Sequence, residues 1–493
     1  MIQSIFHFLF SILYQEGYVL IKLLISNWGV RIVERYEIAI IGSGPAGYVG
    51  AVTAAQAGVP VCIIEKSDFG GVCLNMGCIP TKALVASAKA LRNARRAGEY
   101  GIDIGGTIQT SLEKLQARKD RVVDIEKQGL VKLVEKSDVQ IIKGHASFKD
   151  TNSLKISGSD GEKTIFAKNI IVATGSKPHA LSFLPYDGVK VLSSDDLLRL
   201  AKLPDSMLII GGGYIGCEFA SIFSALGTKI TIIEALPSLL TGTDEEVSTI
   251  LAREFKKVGI DVRTNSTLVG TKVEDKVEAT IEDGTVFTAD IALVAIGRVP
   301  STGGVDLEKI GVETLPNGGI KVNNQMMTNI PGIYAVGDVI GNPMLAHVAS
   351  AECKVAVANA LGNRYMMDYT VIPSGIYTYP EIGSVGITEN QARDMGMDVK
   401  IGRVQLRSLG ISHTSGEIAG IAKIITDAIS DRIVGAHVIG DRATDIIHEV
   451  AVAMYQGMTA SALSMVIHAH PTFSELISEA ALDVNGDAKN LFS

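Results

Sequence analysis

The chain has 493 residues, which is too long for one compact core, so roughly two to four domains are expected. The 47% hydrophobic content excludes a disordered chain, and the net charge of -8 argues against a nucleic-acid partner held through its phosphates. Five cysteines are too few for a secreted disulfide scaffold, which favours a reducing compartment. We expect the cytoplasm, with an organelle matrix as the alternative.

Residues 1–35 are apolar but are interrupted by Glu16, Gly17 and Lys22. Neither apolar piece reaches the ~20 residues that span a bilayer, and no Lys or Arg precedes the first piece as in a signal peptide. We interpret this segment as an extension, either dispensable or a mis-assigned start, with membrane association or organelle targeting as alternatives. The first domain is expected to begin near Tyr36.

A strand, a glycine turn, an Ala-rich helix and a second strand ending in an acid follow one another twice. The glycines and the acid are Gly42, Gly44, Gly47 and Glu65 in residues 37–66, and Gly211, Gly213, Gly216 and Glu234 in residues 207–235. In both copies the acid follows the third glycine by 18 residues. This order is the dinucleotide-binding fingerprint.

Each part of the fingerprint has a physical purpose. The first glycine permits a tight turn, the second lets the backbone approach a pyrophosphate, and the third lets helix and strand pack closely. The helix N-terminus attracts the phosphates, while the acid accepts hydrogen bonds from a ribose diol and would repel a 2′-phosphate. We expect an adenine dinucleotide with an unphosphorylated ribose in each copy; glycine turns that bind nothing are the alternative.

Two cysteines lie five positions apart in "GGVCLNMGCIPTK", residues 70–82. On a regular helix Cys73 and Cys78 would lie ~7.5 Å apart along the axis, whereas a disulfide needs Cα atoms within roughly 7 Å. The segment must therefore bend if the two are bonded, and Gly77 supplies the freedom. A small constrained ring beside a helix start is easily reduced, so the pair is interpreted as redox-active.

A structural disulfide or a metal site remains the alternative for this pair. The other cysteines, Cys62, Cys217 and Cys353, are isolated and offer no second pair of zinc ligands, so no metal is expected. The segment is assigned to the first nucleotide domain, and residues 82–137 are predicted to be helical.

Later segments complete the architecture. Apolar strands at residues 169–178 and 291–300 close the two nucleotide domains, residues 332–339 form a strand that runs into Asp338, and residues 344–361 have helical spacing. From about residue 372, alternation predicts antiparallel strands, followed by helices at 445–459 and 474–482. The predicted fold is α/β, with two Rossmann-like domains and a last domain of α+β type.

A candidate proton carrier lies in "HAHPTFSEL", residues 468–476. Pro471 suits a first helical position, which would leave His470 just before a helix and Glu475 in its early turns. Glu475 could hold one imidazole nitrogen and leave the other free to move a proton. A histidine that only caps the helix is the alternative. His468 alternates with His470, so the two are expected to face opposite ways.

These motifs together resemble the pyridine nucleotide-disulfide oxidoreductases over residues 36–485. The cysteine segment, both fingerprints, "GIYAVGDV", "MLAHVAS" and "HAHPTFSE" occur in the order of that family. The resemblance implies FAD in the first domain, NAD in the second and a C-terminal dimerisation domain that forms a homodimer. It also implies that the enzyme oxidises dihydrolipoamide carried by a lipoyl acyltransferase or H-protein of 2-oxo acid dehydrogenase or glycine cleavage complexes.

The resemblance also implies individual roles. Cys73 would exchange with substrate and Cys78 would face the flavin, while His470 and Glu475 of the partner subunit would complete each site. Lys82 would lie near the flavin ring, paired with Glu218, whose alternative is a surface helix residue. The FAD contacts implied are Gly42, Ser43, Gly44, Pro45, Ala46, Gly47, Glu65, Ala146, Thr174, Gly175, Ser176, Asp338, Met344, Leu345, Ala346 and His347. The NAD contacts implied are Gly211, Gly212, Gly213, Tyr214, Ile215, Gly216, Glu234 and Gly297.

The domains expected are 1–35 (extension), 36–186 (FAD-binding), 187–304 (NAD-binding), 305–371 (completing the FAD site) and 372–493 (interface). A glutathione reductase would need basic residues near position 234, where this chain reads "IIEALPS". A mercuric or large thioredoxin reductase carries a further C-terminal cysteine pair, whereas the last cysteine here is Cys353. A scaffold subunit and a membrane-attached diaphorase are the alternatives outside this activity.

Overall fold

The computed structural model describes residues 34–159, 161–341 and 343–488. The interpretation of residues 1–33 lies outside these ranges, within which no helix combines the length and hydropathy of a membrane span. The chain forms two compact units. The first contains the described residues up to Phe69, with Val131–Gly175 and Ser301–Met366, and the second contains Gly70–Leu130, Ser176–Pro300 and the described residues from Met367 onward.

The first unit is built on a seven-stranded sheet. Its strands, in spatial order, are Gln140–Lys143, Val61–Glu65, Glu34–Ile41, Gly161–Val172, Ser153–Gly158 and His145–Asp150, with Ile333–Ala335 also paired to Gly161–Val172. The strands around Glu34–Ile41 are parallel and the pair at one edge is antiparallel. Burial on both faces explains the continuous apolar run of Ile38–Ile41. The helices are Pro45–Gln56 and Ala346–Ala360, with 3₁₀ turns at Leu307–Ile310 and Gly337–Ile340.

The second unit contains another parallel sheet of the same design. Its strands, in spatial order, are Asp261–Arg263, Lys229–Ile233, Ser206–Ile210, Ile291–Val294 and Val191–Leu192. Its helices are Ser194–Leu197, Tyr214–Leu226 and Glu245–Lys257. An antiparallel sheet of Leu268–Val273, Val277–Ile281 and Val286–Ala289 and a ribbon of Ser176–Pro178 with Arg298–Pro300 complete this part.

The C-terminal part of the second unit is α+β, as the alternation predicts. Its antiparallel sheet has the order Ser374–Ile376, Glu381–Gly386, Ile433–Gly440, Ile421–Asp427 and Val399–Gln405. Its helices are Glu389–Asp394, Gly410–Ser415, Ala443–Tyr455, Ala460–Ser464 and Glu475–Asp483, with a 3₁₀ turn at Leu406–Ser408. The predicted α/β class with two dinucleotide-binding sheets is confirmed.

The cysteine segment lies in the second compact unit, where Leu84 and Leu91 join the core around Phe219 and Phe223. Its assignment to the first nucleotide domain stays a prediction. The helix predicted over 82–137 is interrupted. The segment contains helices Gly71–Met76, Cys78–Arg95 and Leu112–Lys136, with a 3₁₀ turn at Ala97–Tyr100. Gly101 and Gly106 adopt positive φ between the long helices, which no continuous helix can accommodate.

Candidate active site

Cys73 and Cys78 lie on either side of a sharp bend at Gly77. Helix Gly71–Met76 ends there and Cys78–Arg95 begins, because Gly77 has φ -143° and ψ -113°. A Cβ on Gly77 would lie 3.0 Å from the Val72 carbonyl oxygen, and the Thr81 hydroxyl donates a 2.6 Å hydrogen bond to the Gly77 carbonyl. Both cysteines are free thiols, and the bend brings their sulfurs into hydrogen-bond contact.

The two thiols differ in acidity. The hydrogen bond from Cys73, followed in importance by the nearby Lys82 ammonium, lowers the pKa of Cys78 to about 7 against the opposing effect of burial. The same hydrogen bond and burial raise the pKa of Cys73. Cys78 is therefore the more acidic member of the pair and accepts the hydrogen bond of the Cys73 thiol, which is the arrangement of a reactive pair.

Lys82 and Glu218 form an ion pair beside the cysteines. Lys82 lies one helical turn after Cys78, and its Nζ is 3.0 and 2.8 Å from the two carboxylate oxygens of Glu218. Glu218 is 4% exposed on helix Tyr214–Leu226, so it is not a surface residue. Its Oε1 also accepts a 2.9 Å hydrogen bond from the Tyr377 backbone N–H. The sequence named the pair but not Tyr377, which is 159 residues from Glu218.

His470 and Glu475 are brought together as predicted, but not by the helix expected. His470 Nδ1 lies 2.8 Å from Glu475 Oε1, and the imidazole is 76% exposed. Pro471 does not begin a helix, because the helix begins only at Glu475. Burial would raise the pKa of Glu475, but hydrogen bonds from His470 and the Thr472 N–H lower it. Glu475 is therefore a carboxylate that orients the imidazole.

His468 forms a second histidine–carboxylate pair, which the sequence missed. Its Nε2 lies 2.6 Å from Glu449 Oε1 and its Nδ1 2.8 Å from the Val466 carbonyl oxygen. Both ring nitrogens are thus engaged, and the two histidines have separate partners, as the alternation implies. Glu449 lies 19 residues earlier on helix Ala443–Tyr455, where no local spacing indicates the contact.

The first glycine loop has the shape that a pyrophosphate needs. Gly42 has φ +104°, and a Cβ there would collide with the Ala173 carbonyl; one on Gly47 would collide with the Gly42 carbonyl. A Cβ on Gly44 would meet no atom within 4 Å, so open space lies at the N-terminus of helix Pro45–Gln56. That end of the helix offers free N–H groups, and FAD fits this loop through its pyrophosphate.

Glu65 anchors the first loop. Its Oε2 accepts hydrogen bonds of 2.9 Å from the Ser43 N–H and 2.6 Å from the Ser43 hydroxyl. Its Oε1 accepts hydrogen bonds of 2.8 Å from the Ser67 N–H and 3.1 Å from the Ser67 hydroxyl. The ribose contact expected of Glu65 stays a prediction, and the loop-fixing contact was not foreseen.

The second loop repeats this design. Gly211 has φ +107° and a Cβ would collide with the Ala295 carbonyl, while one on Gly213 would meet nothing within 4 Å. Glu234 accepts hydrogen bonds from the Gly212 N–H at 2.6 Å and the Leu236 N–H at 2.8 Å. Each carboxylate oxygen has a second lone pair for a ribose hydroxyl, so NAD fits this loop.

The remaining predicted cofactor residues fall in both units. Ala146 lies on strand His145–Asp150, Thr174 and Gly175 follow strand Gly161–Val172, Asp338 lies in the 3₁₀ turn Gly337–Ile340, and Met344, Leu345, Ala346 and His347 surround the start of helix Ala346–Ala360. Ser176 and Gly297 belong to the second unit. The buried Thr174 hydroxyl has no partner among the described residues, which suits a bound cofactor. The sequence missed Glu352, which is fully buried and accepts a 2.6 Å hydrogen bond from the Gly337 N–H.

Known proteins with this sequence pattern are similar over almost the whole described chain. A dihydrolipoyl dehydrogenase of Bacillus subtilis is 40% identical over 452 residues, covering 91% of this chain and 98% of that protein. One of Geobacillus stearothermophilus is 38% identical over 449 residues, covering 90% of this chain and 95% of that protein.

Two solved structures are similar in fold. LpdA of Mycobacterium tuberculosis superposes with a TM-score of 0.84 at 27% identity, covering 91% of this chain and 99% of that chain. The HOCl-induced flavoprotein disulfide reductase RclA of Escherichia coli superposes with a TM-score of 0.81 at 29% identity, covering 90% and 99%.

Two family models match consecutive parts of the chain. The pyridine nucleotide-disulphide oxidoreductase model matches residues 36–353, and the dimerisation-domain model of the same family matches residues 372–481. Family members use FAD and a nicotinamide nucleotide, and the dimerisation domain supports a homodimer. The resemblance predicted from the motifs is confirmed: the chain belongs to the pyridine nucleotide-disulphide oxidoreductase family.

Proposed function

We propose that the protein is a dihydrolipoyl dehydrogenase, which oxidises dihydrolipoamide to lipoamide and reduces NAD⁺ to NADH. The observation that carries the proposal is the hydrogen-bonded Cys73–Cys78 pair with its acidic Cys78, held beside the Lys82–Glu218 ion pair. The similarity to proteins named dihydrolipoyl dehydrogenase supports the choice of substrate.

The first half of the reaction is thiol–disulfide exchange. His470 Nε2, left free because Nδ1 is held by Glu475, takes a proton from one substrate thiol, and the thiolate attacks Cys73 of the Cys73–Cys78 disulfide. Cys78 leaves as a thiolate, and its lowered pKa makes it a good leaving group. We place His470 and Glu475 of the partner subunit in this role, which the dimerisation domain supports.

The second half closes the substrate ring. The remaining substrate thiol attacks the sulfur bonded to Cys73, lipoamide forms, and Cys73 is released and protonated. One of the two substrate protons ends on Cys73 and the other leaves through His470, so the disulfide has gained two electrons. Hydrogen bonding from the Cys73 thiol then stabilises the Cys78 thiolate.

A bound FAD would supply the redox chemistry that links the dithiol to NAD⁺, by accepting an electron pair and passing it on as a hydride. The loop from Gly42 to Gly47, with Glu65, Thr174 and Asp338, would hold FAD, and the loop from Gly211 to Gly216, with Glu234, would hold NAD. In the proposed division, residues 36–186 and 305–371 bind FAD, 187–304 bind NAD and 372–493 form the interface. The lipoyl group would come from an acyltransferase or H-protein in the cytoplasm.

Steady-state turnover of purified protein tests the proposal. We expect NADH formation from dihydrolipoamide and NAD⁺, and little activity with glutathione disulfide and NADPH. Cys78→Ser should abolish turnover while FAD stays bound, because the variant keeps the glycine loop but forms no disulfide. Faster reduction of glutathione disulfide than oxidation of dihydrolipoamide would reject the assignment, as would normal turnover in Cys78→Ser.

A further inference from the structure

Tyr377 contacts both members of the Lys82–Glu218 pair. Lys82 Nζ lies 4.7 Å from the centroid of the Tyr377 ring, and the Tyr377 backbone N–H donates to Glu218 Oε1 at 2.9 Å. Within the described residues no hydrogen bond involves the Tyr377 hydroxyl, so the ring and the backbone make these contacts. An ammonium group over an aromatic face is attracted by the ring quadrupole.

The position of the Lys82 ammonium matters for Cys78. The side chains that act electrostatically on the Cys78 sulfur are those of Cys73, Lys82 and Glu218, and the Cys78 backbone N–H adds a hydrogen bond. Lys82 is the only cation among these three, and its flexible stem can swing the charge away unless other groups hold it. Its side chain is 32% exposed, so water competes for the ammonium. Glu218 holds the ammonium through two hydrogen bonds, and the Tyr377 ring adds a further contact.

We propose that Tyr377 is a positioning residue for the disulfide half-reaction: its ring face and backbone N–H hold the Lys82–Glu218 pair so that the Lys82 charge stays beside Cys78. The importance of Tyr377 in turnover rests on the proposed function. Its effect on the acidity of Cys78 can be measured on the reduced protein without any substrate. The backbone contact survives substitution, so a side-chain variant isolates the ring.

The test is a pH titration of Cys78 in the reduced, FAD-containing protein. Dithiothreitol-reduced protein is desalted anaerobically and labelled with iodoacetamide between pH 5 and 10, a range set around the ordinary thiol pKa of about 8.5. Cleavage after Met76 separates the two cysteines, so mass spectrometry measures the labelling of Cys78 alone. We expect Tyr377→Leu to raise the apparent pKa of Cys78 by about one unit and slow its labelling at pH 7 by about fivefold, because only the thiolate reacts.

Three comparisons distinguish the loss of the contact between the Tyr377 ring and Lys82 from a general loosening of the protein structure. Tyr377→Phe keeps the ring and should leave the titration unchanged. Tyr379→Leu removes a ring from the same loop, where it stacks on Arg92 instead of Lys82, and should also leave it unchanged. In a Lys82→Met background, Tyr377→Leu should add no further shift, because the ring acts through the ammonium. Tyr377→Met repeats the test if the leucine variant does not fold.

An unchanged Cys78 titration in folded Tyr377→Leu would overturn the proposal, and so would an equal shift in the Lys82→Met background or in Tyr379→Leu. Wild-type protein that fails to oxidise dihydrolipoamide would instead reject the proposed function. The two failures are distinguishable, because the titration uses neither dihydrolipoamide nor NAD⁺.

Discussion

Lys423 and Asp244 form a buried ion pair, with Lys423 Nζ 2.9 Å from Asp244 Oδ2 and both side chains at most 3% exposed. Lys423 lies on strand Ile421–Asp427, and Asp244 caps helix Glu245–Lys257 through a 3.1 Å hydrogen bond from the Glu246 N–H. Lys423 also lies 2.6 Å from Glu389 Oε2. One lysine therefore joins the C-terminal sheet to the start of a helix beside the second parallel sheet.

Lys423→Met should destabilise the protein strongly. The methionine fills a similar volume but leaves the buried Asp244 carboxylate without its ion-pair partner, which typically costs about 3–5 kcal/mol. Urea denaturation measures the loss. Lys321→Met, at a solvent-exposed ion pair with Glu313, is the matched control and should leave the denaturation midpoint unchanged. Equal midpoints for Lys423→Met and wild type would contradict the expectation.

The same cluster predicts how stability depends on pH. Burial raises the pKa values of Asp244 and Glu389, but the hydrogen bonds and positive charge of Lys423, together with other neighbouring groups, outweigh burial and bring both pKa values below their ordinary range. Carboxylates with lowered pKa values stabilise the fold above their unfolded pKa of about 4, and this contribution is lost as the pH falls through the folded values. The difference in urea midpoint between wild type and Lys423→Met should shrink between pH 6 and pH 3; a constant difference would refute this.

Hybrid dimers test whether His470 acts on the cysteines of the partner subunit. His470→Gln should lower kcat by about 10²–10⁴-fold, and Cys73→Ser should be inactive. Co-refolding the two variants creates hybrid dimers. If the histidine acts across the interface, each hybrid has one site with both Cys73 and His470 intact. If the histidine acts within its own chain, a hybrid has no intact site. We expect recovery to roughly a quarter of wild-type activity for random pairing of two subunits. No recovery in verified hybrids would exclude the assignment.

His468→Gln is the control for the proton-carrying role. Both ring nitrogens of His468 are engaged, so it has no free nitrogen with which to move a substrate proton. We therefore expect it to retain most of the wild-type kcat. A loss as large as that of His470→Gln, in a protein that still forms dimers, would move the catalytic role to His468.

Gly44→Ala should impair FAD binding without unfolding the first unit. The added methyl group meets no protein atom within 4 Å, so it occupies the space over the helix N-terminus that a pyrophosphate would use. We expect at least about a tenfold loss of FAD affinity, measured by titrating apoprotein with FAD. Gly129→Ala, also in open space, should bind FAD as wild type does. Normal affinity in Gly44→Ala would mean that the pyrophosphate lies elsewhere.

Local spacing explains which features the sequence could predict. Each glycine fingerprint lies within one short β–turn–α–β segment, and Cys73 with Cys78 or His470 with Glu475 are five residues apart, so their proximity follows from the chain itself. The helix predicted at Pro471 begins at Glu475, because residues between them form a turn instead.

Contacts between distant segments could not be predicted in this way. Lys423 and Asp244 are 179 residues apart, and Tyr377 and Glu218 are 159 residues apart. Nothing in the composition around either residue indicates its partner, because both contacts depend on how sheets and helices pack. The sequence therefore predicts the reactive groups better than the residues that hold them.

The bend at Gly77 also limits how much of the structure must move when the Cys73–Cys78 disulfide forms or breaks. The Thr81 hydroxyl fastens the first turn of helix Cys78–Arg95 to the Gly77 carbonyl, and Leu84, one turn further on, is buried in the core. We therefore expect that making or breaking the sulfur–sulfur bond displaces the Cys73 side of the bend more than the anchored helix Cys78–Arg95. In the proposed reaction, the helix that carries Cys78 would then keep its place through every turnover, and the structural change would be confined to the short helix Gly71–Met76.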